Sequence, residues 1–347
     1  MKDNNKVMNN VVLLSGNSNI NLALKVSEHL GVQLNEKNIP TMFANTEWHS
    51  QIYDNLRGKD IFIIQSGCIN KDKNLSINDI LFETLILVDA CRRSAASTVN
   101  IIMPIYPYAR GDKKDEPRAP IPAKLVSNLF SAVKIDRLVS VDLHATQIQG
   151  FIDIPFDNLY SVNLVIDCLN NSIFKGLTME ERQEKYVVVS PDAGAVKRTL
   201  SFSEKMKLNT IIMHKQRSYV KANTIDKTII IQENGGGKYV DSVGKTAIIC
   251  DDIADTCGTL LSVVDELVKH GIKSIICIIT HGIFSKEALD NINDCKYIEK
   301  FYVSDSIPQE NNKKKCNKLQ IFSLSILLSD LIERIITRKP ISELFVL

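Results

Sequence analysis

The run Ile248-Ile249-Cys250-Asp251-Asp252-Ile253-Ala254-Asp255-Thr256-Cys257-Gly258-Thr259-Leu260 allows few backbone arrangements. Lys245 to Cys250 form a short, apolar, β-rich stretch, whereas Leu260, Leu261, Val263, Val264, Leu267 and Val268 recur at helical spacing until Gly271. A buried strand that turns straight into a helix is a building unit of an α/β sheet. Between the two, the hydroxyls of Thr256 and Thr259 and the backbone N–H groups around Gly258 converge on a helix N-terminus. Such a terminus carries roughly half a positive charge and favours an anion. Gly258 lets the backbone come close to it.

Asp251 and Asp252 would repel a phosphate. At the C-terminal edge of a strand they are placed to accept hydrogen bonds from sugar hydroxyls, with Asp255 next to the reacting end. Any one of these acids alone reads equally as an ordinary helix cap, but the ordered set fits a sugar phosphate. It resembles the phosphoribosyl-pyrophosphate loop of the type I phosphoribosyltransferase fold, a likeness that implies what is held and leaves the reaction open.

Elsewhere, apolar strands alternate with helical patterns. Val11 to Gly16, Ile61 to Gly67, Val99 to Pro104 and Leu138 to Val141 read as strands, with helices from Ile20 to Gly31 and from about Leu81 to Ala96. Tyr186 to Ser190, Thr210 to Met213, the 245–250 strand and Ser274 to Ile279 repeat the theme. Alternation of this kind predicts an α/β protein of two tandem domains, each a mainly parallel sheet flanked by helices. The halves are expected to be 1–160, rejoined by 337–347, and 161–336. Residues 104–124 are too rich in proline and charge for a core element and read as a functional loop, and residues 311–318 as a solvated basic loop.

The length of 347 residues suits two domains, and a net charge of +2 argues against a nucleic-acid surface. The eight cysteines at 68, 91, 168, 250, 257, 277, 295 and 316 lack C-x-x-C pairing, which suits buried free thiols in a reducing compartment. No apolar run approaches the ~20 residues of a membrane helix, and the polar start is unlike a signal peptide, so a cytoplasmic location is expected. Gly235-Gly236-Gly237-Lys238 and Gly244-Lys245-Thr246 imitate a P-loop, but Tyr239 stands where that spacing requires glycine.

Strand ends gather at one edge of such sheets, which puts Arg110, His144, Asp192 and Lys215 among the candidates. Lys215 and Arg217 would point the same way on an extended backbone and could neutralise charge on a transferring phosphoryl group. His144 and Asp192 offer a nitrogen and a carboxylate for a divalent ion that also touches phosphate oxygens. Singly, each of these also reads as a turn or structural residue.

Several longer motifs narrow this. Pro107-Tyr108-Ala109-Arg110-Gly111-Asp112-Lys113-Lys114-Asp115, Arg118-Ala119-Pro120-Ile121, Asp142-Leu143-His144-Ala145, Gln147-Ile148-Gln149-Gly150-Phe151, Ser190-Pro191-Asp192-Ala193-Gly194, the 250–259 loop and Thr280-His281-Gly282-Ile283-Phe284 occur in order over nearly the whole chain. Together they resemble the ribose-phosphate pyrophosphokinase family. The resemblance implies that Mg-ATP gives its diphosphate to the C1 hydroxyl of ribose 5-phosphate. It assigns Asp251, Asp252, Asp255, Thr256, Cys257, Gly258 and Thr259 to ribose 5-phosphate, and His144 and Asp192 to Mg²⁺. Lys215 and Arg217 correspond to a catalytic loop. Phe43, Asn45, Glu47, Arg110, Asp115 and His144 correspond to the ATP side. The segment with Phe43, Asn45 and Glu47 is one that a neighbouring subunit supplies, implying a homo-oligomer of dimers assembled to a hexamer, with inorganic phosphate as a candidate activator.

Gly111 stands where many relatives have glutamine, Ala195 where a glycine is common, and the stretch 218–243 is longer than usual. Two alternatives share parts of the pattern. A phosphoribosyltransferase has the 251–259 loop but no use for Arg110 and His144 in a second α/β half. A non-catalytic regulatory homologue would keep the fold, but here His144, Asp192, Lys215 and Arg217 are all intact.

Overall fold

The computed structural model describes residues 10–217, 225–233 and 242–345, without the side chains of 214–217 and 225–233. The chain divides into two compact units, one of Met1–Ser161 with Asp305–Pro308 and Ser323–Val346, the other of Val162–Ser304 with Gln309–Phe322.

In the first unit, β1 (Val11–Ser15) is followed by a hairpin of β2 (Thr41–Met42) and β3 (Trp48–His49), and then by β4 (Asp60–Ile64), β5 (Thr98–Ile102), β6 (Arg137–Val141) and β7 (Phe156–Leu159). Among the described residues the five longer strands form one sheet in the order β1-β4-β5-β6-β7, with every pairing parallel. Leu13, Leu14, Ile61 to Ile64, Ile101, Ile102, Leu138 and Val139 are wholly buried. They make the near-continuous apolar runs that a parallel sheet covered on both faces requires.

The helices are set by local chemistry. Asn19 accepts the N–H of Leu22 to cap the helix Ile20–Leu30, which Gly31 ends at φ 65°. Ser76 and Asp79 form a reciprocal capping box at the start of the helix Ile77–Arg93.

The return to the first unit comes at Asp305 and again at Ser323, well before the expected 337. The reason is a buried carboxylate. Asp305 accepts hydrogen bonds from Lys25 Nζ (2.8 Å), Ser323 Oγ (2.6 Å) and the Leu324 N–H (2.8 Å), and its carbonyl accepts from Asn19 Nδ2 (2.7 Å). Ser66 Oγ donates to the Ser306 carbonyl at 2.5 Å. These partners lie far apart in sequence, and nothing in local patterning announces them.

In the second unit, β8 (Tyr186–Ser190), β9 (Thr210–Arg217), β10 (Ile225–Glu233), β11 (Thr246–Ala254), β12 (Ser274–Gly282), β13 (Ile298–Ser304) and β14 (Leu319–Phe322) form a sheet in the order β10-β9-β8-β11-β12-β13-β14. Only the β9–β10 pairing in that sheet is antiparallel. From β8 the chain passes through the helix Val196–Met206 to β9 on one side, and from β11 through the helix Gly258–Lys269 to β12 on the other. The gap between β8 and β11 is therefore a topological switch point, where open α/β sheets bind ligands at their carboxyl edge.

Two local expectations are corrected. β11 runs to Ala254 rather than ending at Cys250, so Asp251 and Asp252 lie inside a strand, with Asp251 opposite Ile279 of β12. Residues 311–318 are not a loop throughout, since the helix Glu310–Lys315 occupies most of them. Lys318 Nζ turns inward to the carbonyls of Ile292, Asn293 and Cys295 at 2.9, 2.8 and 2.7 Å. The glycine-rich 235–237 segment and most of 218–243 lie outside the described residues.

Asp305→Ala, which strands several buried donors, is expected to lower the stability of the first unit by about 2 kcal/mol, read as a fall in thermal midpoint. A second outcome concerns Glu83, wholly buried on the helix Ile77–Arg93. Burial pushes its carboxyl up to about 7, against hydrogen bonds from Asn17 and Gln65 that favour the charged form. The folded chain thus keeps a proton that the unfolded chain releases above its ordinary value of 4.5, so this group's contribution to stability declines as pH rises from 4.5 to about 7 and is level beyond it. Glu83→Met should remove that component of slope in melting curves recorded across the window.

Candidate active site

The carboxyl edge of β11 carries the proposed sugar-phosphate loop. The helix Gly258–Lys269 begins with Cys257 as its flanking residue, at φ 61° and ψ 6°, and the Cys257 side chain makes no capping hydrogen bond. The ordinary capping position is therefore held by Cys257 and not by one of the three acids. The first N–H groups of a helix have no partner within it, and here they face a turn displaying Thr256, Gly258 and Thr259, all exposed. A Cβ added at Gly258 would meet nothing within 4 Å, so the space beside it is open. Cys257 is buried, and that burial pushes its thiol up to about 12. It is a neutral packing group with no thiolate character.

Asp252 is buried and Asp251 partly so. The Asp251 carboxyl lies well above the usual carboxylate range, first because of burial and next because of the Asp252 charge beside it; Asp192 adds to the rise and Arg198 opposes it. The Asp251 carboxylate also accepts the N–H of Asp252 at 2.9 Å. Arg198, on the helix Val196–Met206, stands 3.5 Å from Asp252. Placed together at the switch point are thus a cluster of carboxylates, one guanidinium and an uncapped helix start. That arrangement offers acceptors for hydroxyls on one side and donors for a phosphate on the other.

Asp192 follows β8 and folds its own turn. Its Oδ1 accepts the N–H groups of Gly194 (2.9 Å) and Ala195 (3.1 Å). Ala195 has φ −83° and ψ −10°, a conformation that needs no glycine. Lys215 and Arg217 lie at the end of β9, two positions apart on an extended backbone, and their side chains are outside the described residues.

In the first unit, Arg110 and Asp115 are exposed on the loop after β5, and His144 is exposed on the loop after β6. Those two loops are joined by Gln147 Nε2 donating to the buried Asp112 carboxylate at 2.5 Å. Gly111 has a packing reason, since a Cβ there would lie 2.9 Å from the Pro122 ring. Phe43, Asn45 and Glu47 occupy the turn between β2 and β3, with Phe43 55% exposed; the Glu47 carbonyl accepts the Phe43 N–H at 2.8 Å.

Arg198 is the residue that sequence reasoning missed. A basic side chain two residues into a helix resembles its neighbour Lys197, and only the fold turns Arg198 toward the carboxylates.

The fold and this loop define a class of α/β proteins in which a strand-to-helix turn of phosphoribosyltransferase type holds a sugar phosphate. Residues 11–133 match the N-terminal domain of ribose phosphate pyrophosphokinase, and residues 237–346 match the phosphoribosyl synthetase-associated domain. The crystal structure of phosphoribosylpyrophosphate synthetase from Mycobacterium smegmatis is 31% identical, covers 94% of this chain and 99% of its own, and superposes with a TM-score of 0.80. The chain belongs to the phosphoribosylpyrophosphate synthetase, or ribose phosphate pyrophosphokinase, family. Purine phosphoribosyltransferase from Pyrococcus horikoshii Ot3 is 20% identical over 36% of this chain and 76% of its own, with a TM-score of 0.24.

Arg198→Met is expected to raise the Asp251 carboxyl further, followed by carbon-13 NMR titration. It should also destabilise the second unit by about 3 kcal/mol in thermal unfolding, because a largely buried carboxylate loses its cation.

Proposed function

We propose that this chain is a ribose-phosphate diphosphokinase that makes phosphoribosyl pyrophosphate and AMP for nucleotide biosynthesis. The observation that carries the reading is the uncapped Cys257–Thr259 helix start beside the Asp251–Asp252 carboxylates at a topological switch point. In the reaction the C1 oxygen of ribose 5-phosphate forms a bond to the β-phosphorus of ATP. The bond from that phosphorus to the oxygen bridging the α-phosphate breaks, AMP leaves with the electron pair, and the C1 hydroxyl proton passes to solvent.

The chain's own groups divide that work. Thr256, Cys257, Gly258 and Thr259 bind the 5-phosphate through hydroxyl and backbone N–H donors, while Asp251, Asp252 and Asp255 accept the ribose hydroxyls and aim C1. Lys215 and Arg217 are assigned to the charge that develops on the transferring phosphoryl group. Arg110, Asp115 and His144, with Phe43, Asn45 and Glu47 from a neighbouring subunit, are assigned to ATP. No covalent nucleophile is needed, and the neutral Cys257 thiol agrees with that.

Mg²⁺ usually binds through one or two carboxylates together with substrate phosphates. The Asp252 and Asp192 charges acting on Asp251 favour a cation nearby, and among the described residues no group of three His, Cys, Asp or Glu could hold a metal ion without substrate phosphates. His144 and Asp192 are the residues that would hold it, and when bound it would neutralise phosphate charge. The reading extends to a cytoplasmic homo-oligomer, dimers assembling to a hexamer, with inorganic phosphate as activator. It involves no nucleic acid or membrane, and no helix among the described residues is long and apolar enough to cross a bilayer.

Purified protein with Mg-ATP should release AMP only when ribose 5-phosphate is added. Absence of both products, with and without inorganic phosphate, sinks the enzyme reading. Lys215→Ala is expected to keep ribose 5-phosphate binding by calorimetry while losing about 10³-fold in turnover; unchanged turnover removes Lys215 from the mechanism.

A further inference from the structure

The hairpin that carries Phe43, Asn45 and Glu47 has little to hold it. β2 and β3 share two residue pairs, Thr41 with His49 and Met42 with Trp48. A hairpin of that size is marginal by itself in water, so its orientation must come from what it is tied to. At its neck, Asn38 Oδ1 accepts the Tyr53 N–H (2.8 Å) and Asn38 Nδ2 donates to Asp54 (2.6 Å), which closes the excursion into a loop.

The closed loop is fastened to the sheet by Asn17, in the turn after β1. Its Nδ2 donates to the Pro40 carbonyl at 2.8 Å, one residue before β2, and to Glu83 Oε1 at 2.6 Å. Its backbone N–H also reaches Glu83 Oε1 (2.9 Å), and its Oδ1 accepts from Lys73 Nζ (2.6 Å). With both amide protons and the carbonyl engaged, the side chain is held in one orientation.

Glu83 is equally constrained. Its other oxygen accepts from Gln65 Nε2 (2.7 Å), and Gln65 cannot flip, because its Oε1 accepts the Ser18 N–H (3.0 Å) and hydroxyl (2.6 Å). Both oxygens of residue 83 thus face N–H donors, and a glutamine there would set an N–H against an N–H. The approach is tight enough that a Cβ on Gly16 would lie 2.2 Å from the Gln65 amide. A wholly buried carboxylate serving two loops at the carboxyl edge of the sheet is costly to maintain, and a purely apolar contact would serve packing as well.

We propose that the buried Asn17–Glu83 pair is the positioning element of the nucleotide-side hairpin, fixing Pro40 and hence the direction in which Phe43, Asn45 and Glu47 meet the adenine end of ATP. Asn17 and Glu83 are positioning residues and touch no substrate. The inference rests on the reading that this hairpin binds the nucleotide, so its test measures both.

Steady-state kinetics of the full chain should give Asn17→Ala an ATP KM raised about tenfold, the share of the loss carried by the hydrogen bond to Pro40. Its kcat and its KM for ribose 5-phosphate should stay close to wild type. Lys73→Met, at an exposed position and so safe for folding, should raise the ATP KM about threefold by loosening Asn17. Thr84→Val is the structural control. Thr84 is buried on the same helix and donates to the Ile80 carbonyl, so the variant should lose thermal stability with an unchanged ATP KM. Phe43→Ala tests the underlying reading and should raise the ATP KM. A raised value for Phe43→Ala with normal values for Asn17→Ala and Lys73→Met overturns the positioning role alone. A normal value for Phe43→Ala overturns the role together with the reading beneath it.

Discussion

The placement of two adjacent carboxylates inside a buried parallel strand is the constraint on which the second unit depends. Asp251 and Asp252 continue β11 past its apolar centre, where desolvation and the Asp252 charge both oppose ionisation of Asp251. A strand interior tolerates this only at its carboxyl end, beside a switch point, where Arg198 reaches across and the crevice admits solvent or ligand. The same geometry puts Cys257, whose side chain makes no capping hydrogen bond, at the start of the next helix. Carboxylates, a guanidinium and the donor-rich start of a helix are thus concentrated where a sugar phosphate with several hydroxyls would meet them.

The first unit solves a related problem differently. Its carboxyl edge also carries buried charge, in Glu83 and Asp305, but there the partners belong to the chain itself. Asn17, Gln65, Ser18 and Asn19 turn the loops after β1 and β4 into a hydrogen-bonded block, and Asp305, through Ser323 and the Leu324 N–H, draws the helix Ser325–Thr337 onto it. A rigid edge of that kind can present exposed groups such as Phe43 and His144 in fixed directions although their own loops are short of regular structure. One unit gathers polar groups at its switch point; the other uses them internally to hold its loops.

Local patterning made much of this legible. The apolar runs from Val11, Ile61, Val99, Leu138, Tyr186 and Ser274 stand out because strands buried on both faces need uninterrupted branched side chains, and Gly31 and Gly271 mark helix ends through their left-handed backbone. The strand-to-helix loop was readable because its residue types are chemically specific at fixed spacing. Sequence reasoning stopped β11 too early because Asp251 and Asp252 look like the end of an apolar run; the ladder to β12 continues since backbone pairing does not depend on side-chain polarity. It took 311–318 for a solvated loop because the lysine run outweighed the single helical turn beneath it.

By itself the sequence determined the α/β class, the strand-to-helix loop at 250–259 and the order of its motifs, since these depend on short-range periodicity and on residues within a few positions of one another. Tertiary structure decided which strands flank the switch point, that Arg198 rather than Lys197 meets the carboxylates, that Asp305 brings the chain back early, and that Asn17 and Glu83 stand beneath the 41–49 hairpin. Each of those joins residues distant in sequence through one or two buried polar contacts. Such contacts have no periodicity to betray them, because burial and the position of a partner are properties of the folded chain.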